Sequence, residues 1–474
     1  MAKNSLLFFL SFLLCGASML FAAEAKKPTS FHDQNARKAP DWVTRGVIYQ
    51  INPRAFTPEG TLAAATKRLP EMKRLGVTIA YLIPVFVSDD DPRQEFWSKR
   101  QKKSGQNNPR NPYRMKDYYH IDPEYGTDAD LKAFVDEAHR LGMRVMLDLV
   151  YLHCGPTAVF IKSHPDFVKR DKDGNIVNAA WSFPGLNFES PALREYLWKN
   201  MEYWIAEFGV DGYRTDVADG IPLDFWTEGR RRIEKMKPDA ALFAEGINRI
   251  DDQLYAYDLN YGFPFFSALR NVMDKGNPVS ELSDIKRKIA AVRPKGARLV
   301  HYFDNHDISN DDYELRRETR WGFEGVNAVL TMCMTLDGVP MLYNGQEIAD
   351  KTRNSIFGNL AIDWNQGKTT EGKKRFALCQ ELIKLRLAHP ALVSPEITFV
   401  NNDEKQKVLS YERNAANEQI LVVVNLRNER VRVKVQSELT HLEPLFVNGK
   451  QLAQVSKPIF DLPPYGWFVG KAVK

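Results

Sequence analysis

Four short stretches of this 474-residue chain gather acids, histidines and an arginine closely enough to do chemistry. In the stretch from Gly212 to Asp216, Arg214 and Asp216 fall on one face if the segment is a strand, because side chains repeat every two residues. An arginine beside a carboxylate lowers its pKa and holds it ionised, the state a nucleophile needs. In Leu242 to Gly246 an acid, Glu245, terminates an apolar run, where burial raises its pKa and keeps a proton available. Two carboxyl groups in opposed environments are the equipment for double displacement at an anomeric carbon. The third stretch, Asp304, Asn305, His306 and Asp307, adds a carboxylate that can bind hydroxyls and steady positive charge. A metal site is its rival, although no second histidine stands nearby at ligand spacing. The fourth runs from Asp148 to His153, and a lone histidine there is equally a hydrogen-bonded piece of structure.

These residues need a scaffold that brings strand ends together. Short apolar strands alternate with amphipathic helices from about residue 41 to 395. The pattern predicts strands at 47–51, 79–84, 145–150, 212–216, 242–245, 299–303 and 341–344, with a sixth in chain order near 255–259. Helical patterns occupy 61–75, 128–141, 190–208, 223–236, 278–292, 322–336 and 371–388. The fold class expected is therefore α/β, an eight-fold (β/α)8 barrel; the glycine-rich phosphate turn of a dinucleotide-binding sheet is absent. A long connection at 154–189 is large enough for an inserted B domain after the third strand. From 396 to 474 alternating apolar strands with turn signals predict an all-β sandwich domain without catalytic groups of its own.

The four stretches, in this order and spacing, resemble the four conserved regions of the alpha-amylase family, glycoside hydrolase family 13, over essentially the whole mature chain. The resemblance implies Asp216 as nucleophile, Glu245 as acid/base and Asp307 as the third carboxylate, with Arg214, His153 and His306 holding the nucleophile and the sugar. Asn111 to Thr127 is similar to the family segment whose first tyrosine stacks on that sugar, which makes Tyr113 a substrate-binding residue and leaves Tyr118 and Tyr119 as core aromatics. Phe183 to Asn187 resembles the fifth region, and Asp41 to Phe56 the first strand. The activity implied is retaining hydrolysis of α-1,4-linked glucans or maltooligosaccharides. A transglycosylase using the same carboxylates, and a non-catalytic glucan-binding relative, are the alternatives.

Four positions depart from the family pattern. Leu152 stands where calcium-dependent members carry asparagine, and Asn187 where they tend to have aspartate, so no metal or other cofactor is expected. The loop from Asp171 to Asn175 could offer oxygen ligands but reads more simply as a turn. Asp219 and Gly220 replace a Lys-His pair on the leaving-group side, and no tryptophan closely follows Glu245.

Bulk properties exclude some partners. A net charge of +5, spread along the chain, lacks the concentrated basic face that nucleic acid binding requires. The densest basic stretch, through Arg93, Lys99, Arg100, Lys102, Lys103, Arg110 and Arg114, reads as a solvated loop, with an anionic ligand as the alternative. Residues 1–25, with Lys3, an apolar run from Leu6 to Leu14 and small residues at Ala22, Ala23 and Ala25, read as a signal peptide cleaved near Ala23 to Ala25. The run is shorter than the ~20 residues of a bilayer-spanning helix, so a secreted or periplasmic protein without a membrane partner is expected. Cys154, Cys333 and Cys379 lack paired spacing and read as small buried hydrophobes.

Overall fold

The computed structural model describes residues 30–246, 248–308, 315–448 and 457–473. The signal-peptide segment lies outside them. Eight parallel strands close into a barrel in chain order: β1 (Ile48–Ile51), β2 (Ile79–Leu82), β3 (Arg144–Leu149), β4 (Gly212–Thr215), β5 (Ala241–Ala244), β6 (Leu259–Tyr261), β7 (Leu299–His301) and β8 (Val339–Tyr343). Closure is the pairing of β1 with β8, Ile48 opposite Met341. Nearly every strand residue is buried, as expected for strands with side chains in the barrel on one face and under helices on the other.

Helix ends are written locally in the sequence. Thr127 and Asp130 form a reciprocal capping box at the start of the Asp128–Arg140 helix, and Gly209 closes the Pro191–Phe208 helix in the left-handed region. The expected helix over 61–75 is two pieces, Leu62–Thr66 and Leu69–Leu75, because Pro70 starts the second rather than continuing the first. The sixth strand is displaced: Asp252–Tyr255 is a helical turn, and the strand follows it at Leu259–Tyr261. A helix at Phe263–Lys275 is absent from the sequence expectation, since its opening Phe-Pro-Phe-Phe run masks the 3.6-residue period.

Beyond the barrel, a five-stranded antiparallel sheet joins β9 (Ile397–Phe399), β10 (Val408–Ala415), β11 (Glu418–Asn425), β13 (Leu442–Val447) and β15 (Trp467–Ala472). A second sheet pairs β12 (Val431–Lys434) with β14 (Ile459–Leu462). Val423, Val433, Phe460 and Phe468 fill the core between them. This sandwich is tied to the barrel by the Tyr411 hydroxyl against Thr335 Oγ1 at 2.6 Å and by Arg427 donating to Asn277 O at 2.5 Å. Among the described residues no helix is long and apolar enough to cross a membrane, and Cys154, Cys333 and Cys379 are buried and free.

Candidate active site

Every singled-out acid sits at or just beyond the carboxyl end of a strand, the end at which barrel enzymes build their sites. Asp216 follows β4, Glu245 follows β5, and the loop after β7 carries His306 and Asp307. Arg214, within β4, is the hub. Its buried Nη1 donates to both oxygens of Asp148 at 2.7 and 2.8 Å and to Asp216 Oδ1 at 3.1 Å. Its Nη2 lies 2.9 Å from Glu245 Oε2. A planar fork can serve three carboxyl groups at once, which a lysine ammonium cannot do with fixed geometry.

Asp216 and Glu245 thus sit side by side on the two terminal nitrogens of one guanidinium, at 3.1 and 2.9 Å, near enough for their charges to interact. The surroundings of Asp216 depart from the simplest sequence expectation. Burial, and then the charge of Glu245, push Asp216 well above the usual carboxylate range despite Arg214. Glu245 Oε2 also accepts the Val217 N–H at 2.9 Å. Val217 offers that N–H from φ 44°, a left-handed conformation that a β-branched residue adopts only under constraint. The strain therefore lies between the two acids, where sequence gives no sign of it.

The sugar-side residues form a second network. Gln50 Nε2 is 2.9 Å from His306 Nδ1, while Gln50 Oε1 accepts the His306 backbone N–H at 3.3 Å. The amide nitrogen can only donate, so Nδ1 accepts and the ring proton sits on Nε2. Nε2 faces the Tyr113 hydroxyl at 2.6 Å and Asp307 Oδ2 at 3.4 Å. Tyr113 lies flat against His306, centroids 5.3 Å apart and planes 10° apart, and donates to Asp148 Oδ2 at 3.0 Å. Tyr81 donates to the same oxygen at 2.6 Å. Burial raises Asp148 to about 6 against the pull of Arg214, and lowers His306 to about 3, leaving the ring neutral near pH 7.

His153 is buried on the other side of the pocket. Its Nε2 meets Tyr113 O at 2.8 Å, and its Nδ1 has no hydrogen-bond partner among the described residues. Burial lowers its pKa to about 4, so it can offer a neutral imidazole to a ligand. Phe183 and Trp181 flank the ring, at 4.9 and 5.6 Å between centroids. Trp181 is 39% exposed at φ 60°, a second strained residue at the pocket.

Asp307 differs from the other acids in being 42% exposed at its side chain. Burial opposes its ionisation, but the His306 ring, Arg100 and Arg214 outweigh it and hold it down to about 2. Arg100 was part of the stretch expected to be a solvated loop, and that expectation is wrong for two of its arginines. Arg100 reaches inward to Asp307, and Arg114 is fully buried. The Arg114 guanidinium donates to the carbonyl oxygens of Phe96, Asp89, Asp91 and Pro109 at 2.8–2.9 Å. Folding the loop back on itself leaves carbonyls facing inward, and a buried cation satisfies them.

The departures from pattern also find places. Leu152 presents carbon only and packs where a Cβ on Gly220 would approach its Cδ1 to 2.9 Å. The Asn187 amide donates to Asp166 O at 3.0 Å and accepts from Glu189 N at 3.3 Å. The Leu152 side chain offers a hard cation no oxygen, whereas the Asn187 Oδ1 is engaged by the Glu189 N–H. Asp171 Oδ1 accepts the N–H groups of Asp173 and Asn175, closing a turn as the sequence reads. Asp219 accepts the Asn248 N–H at 2.8 Å, and a Cβ on Gly246 would strike it at 2.3 Å, so it pins the loop after Glu245. Tyr118 and Tyr119 are packing residues; Tyr118 stacks on Phe160, and the Tyr119 hydroxyl donates to Tyr196 O. Gln50, Tyr81, Arg100, Trp181 and Val217 are the pocket residues that sequence reasoning missed.

Comparison with known proteins agrees with this geometry. The family model described as the alpha amylase catalytic domain matches residues 27–177 and 176–381, and the maltogenic amylase C-terminal domain matches residues 397–469. A cyclomaltodextrinase from Bacillus sp is 27% identical over 445 residues, covering 81% of this chain and 73% of the relative. A maltogenic alpha-amylase from Bacillus acidopullulyticus is 25% identical over 441 residues, 82% of this chain and 70% of the relative. The crystal structure of a noncanonic maltogenic alpha-amylase from Thermotoga neapolitana superposes with a TM-score of 0.79 at 25% identity, covering 91% of this chain and all of that one. With the catalytic-domain model matched over most of its length and the acids gathered at the strand ends, this chain belongs to the alpha-amylase family.

Proposed function

We propose that the chain is a retaining glycosidase that cleaves α-1,4-glucosidic bonds in linear or cyclic glucans. The observation that carries this reading is the Asp216–Glu245 pair, held on the two terminal nitrogens of one guanidinium. Inverting enzymes keep their carboxyls ~6.5–9.5 Å apart to admit a water, whereas Arg214 reaches Asp216 Oδ1 at 3.1 Å and Glu245 Oε2 at 2.9 Å at the same time. The names of the relatives, cyclomaltodextrinase and maltogenic alpha-amylase, support the substrate class.

Asp216 is the nucleophile, Glu245 the general acid and base, and Asp307 the third carboxylate. As the sugar enters, the proton that burial and the charge of Glu245 keep on Asp216 passes to Glu245, leaving Asp216 ionised. Glu245 then protonates the glycosidic oxygen while Asp216 attacks the anomeric carbon; the C–O bond breaks and a β-glycosyl ester forms. Glu245, now a carboxylate, takes a proton from water, whose oxygen displaces Asp216 and restores the α-anomer. Asp307 binds ring hydroxyls and faces the developing positive charge, His153 and His306 donate or accept at hydroxyls as neutral rings, and Tyr113 packs against the sugar. Arg214 keeps both acids in place.

The chain needs no calcium at the Leu152–Asn187 position in this reading, and residues 1–25 direct it out of the cytoplasm. Incubation with starch, maltooligosaccharides, cyclodextrins and pullulan, with the anomer of the first product followed by NMR, tests the function. An α-anomer is expected. A β-anomer as the first product, or no cleavage of any of these glucans, would overturn it, and oligosaccharides longer than the substrate would identify transfer to a sugar hydroxyl.

A further inference from the structure

We propose that Arg100 is a positioning residue for Asp307, delivered to the pocket by the basic loop between β2 and the Asp128–Arg140 helix. The inference rests on the reading of Asp307 as the third carboxylate. Its basis is how much of the loop is organised around one guanidinium. Arg100 Nη1 donates to Asp307 Oδ1, Nη2 donates to His306 O at 2.7 Å, and the group lies 5.5 Å from the Phe357 ring centre. The arginine is only 18% exposed at its side chain.

The helical turn that carries it, Lys99–Lys103, is short and would not persist unaided. Ser98 caps it by accepting the Gln101 N–H at 3.0 Å. The buried Gln101 side chain donates to Asn108 O and Pro109 O at 2.9 and 3.1 Å, and Asn108 donates to Phe357 O at 3.0 Å. Arg114 then joins the same loop at Pro109 O and Phe96 O. A loop of mostly polar residues is thus locked at several points, and what it presents to the catalytic end of the barrel is a cation.

Asp307 needs such a hold. It is the most exposed of the three acids, on a loop six residues beyond the end of β7, and an exposed carboxylate samples several rotamers. His306 contacts one oxygen at 3.4 Å and Arg100 the other, which fixes the plane of the carboxylate and leaves its remaining lone pairs for sugar hydroxyls. Arg100 therefore acts through Asp307 and pre-organises a charge that the transition state uses.

The test is a double-mutant cycle on an aryl α-maltooligoside, reading kcat, KM and the acid limb of the pH profile for Arg100→Gln, Asp307→Asn and the double variant. Arg100→Gln is expected to lower kcat about 10- to 100-fold with a smaller change in KM, since pre-organisation acts in the transition state. The acid limb moves up, because Arg214, His306, Tyr113, Tyr261 and Tyr302 remain around Asp307 while one cation is gone. In the Asp307→Asn background the same change has little further effect. Arg100→Lys restores the acid limb but not kcat, because an ammonium cannot span both acceptors. Full additivity of the two substitutions, or wild-type kcat in both Arg100→Gln and Arg100→Lys, would overturn the inference. Should Arg100→Gln lose its fold, Arg100→Lys alone decides by its kcat. Wild-type activity in Asp307→Asn would instead remove the reading of Asp307 on which the inference stands.

Discussion

At the scale of single residues, the pocket works by giving one arginine three acids and then unbalancing two of them. Arg214 cannot by itself make Asp216 and Glu245 different, since it touches both. The difference comes from burial around Asp216 and from the Val217 N–H on Glu245. Glu245→Gln, which cannot hold the proton the leaving group needs, should lower kcat on glucans about 10²- to 10⁴-fold and remove the alkaline limb of the pH profile, measured by reducing-end release. The sign follows from that proton: activity requires one proton on the pair, and raising the pH through the elevated value removes it. Asp216→Asn should abolish turnover while leaving the thermal transition near that of the parent; retained turnover would refute the nucleophile. Arg214→Lys should cost at least about 10²-fold, because the two acids lose their common geometry. The acids, both histidines, Tyr113 and Arg214, singled out in sequence by their order along the chain and by resemblance to the family, lie in contact with one another at one end of the barrel. Val217 and Gln50 were not legible in sequence, because a backbone angle and a partner lying 256 residues from His306 leave no local trace.

At the scale of elements, strands were read closely and loops poorly. A buried parallel strand is an apolar run with turn residues at its ends, so β3, β4 and β5 were found to within a residue or so. The loop from β2 to the Asp128–Arg140 helix was misread because charge density is a proxy for solvation, and it fails when backbone carbonyls, rather than water, are the partners. Arg114 makes the point. Replacing it by Met leaves four carbonyl oxygens facing an apolar stem, at about 1–3 kcal/mol for each that stays dry. Arg114→Met should therefore lower unfolding stability by about 3 kcal/mol or more in denaturant titration, and make the loop between Phe96 and Pro109 the first site cut by protease. A loss under about 1 kcal/mol would mean that water reaches those carbonyls. The same loop holds Arg100, so activity should fall with the fold of the loop before the barrel itself unfolds. Chelator is expected to change neither the parent's melting temperature nor its rate, because Leu152 stands with an apolar side chain where calcium-dependent members carry asparagine.

At the scale of the whole molecule, the ionisable groups buried by folding oppose one another, and the outcome is a definite pH profile of stability. Three histidines are driven neutral by burial: His153 and His301 to about 4 and His306 to about 3. As pH falls from about 6.5, the unfolded chain takes up these protons first, so each histidine costs stability across that window. Several buried acids act the other way. Burial raises Asp148 and Asp252 to about 6 and Glu347 to about 7, and also raises Asp216 and Glu318. The folded chain takes up those protons first, so each adds stability as pH falls toward the usual carboxylate range. The acids offset the histidines, and stability should hold or rise slightly between pH 6.5 and 4.5. Below about 4 a third set takes over at the base of the barrel. Asp211 is held well below the carboxylate range by His139, Arg144, Lys237 and the Val145 N–H, and Asp337 by Lys286 and its neighbours His301 and Arg413, in each case against burial. Their depressed values contribute stability that is present above pH ~4 and is lost as pH falls, at about 1.4 kcal/mol per pH unit for each group. Asp307, at about 2, joins them. Denaturant titrations from pH 7 to 3 should therefore give a flat or gently rising plateau and then a steep fall. A fall already under way at pH 5.5 would show that the histidines are not offset, and Asp211→Asn should lower the plateau and flatten the fall beneath pH 4 in the same titration.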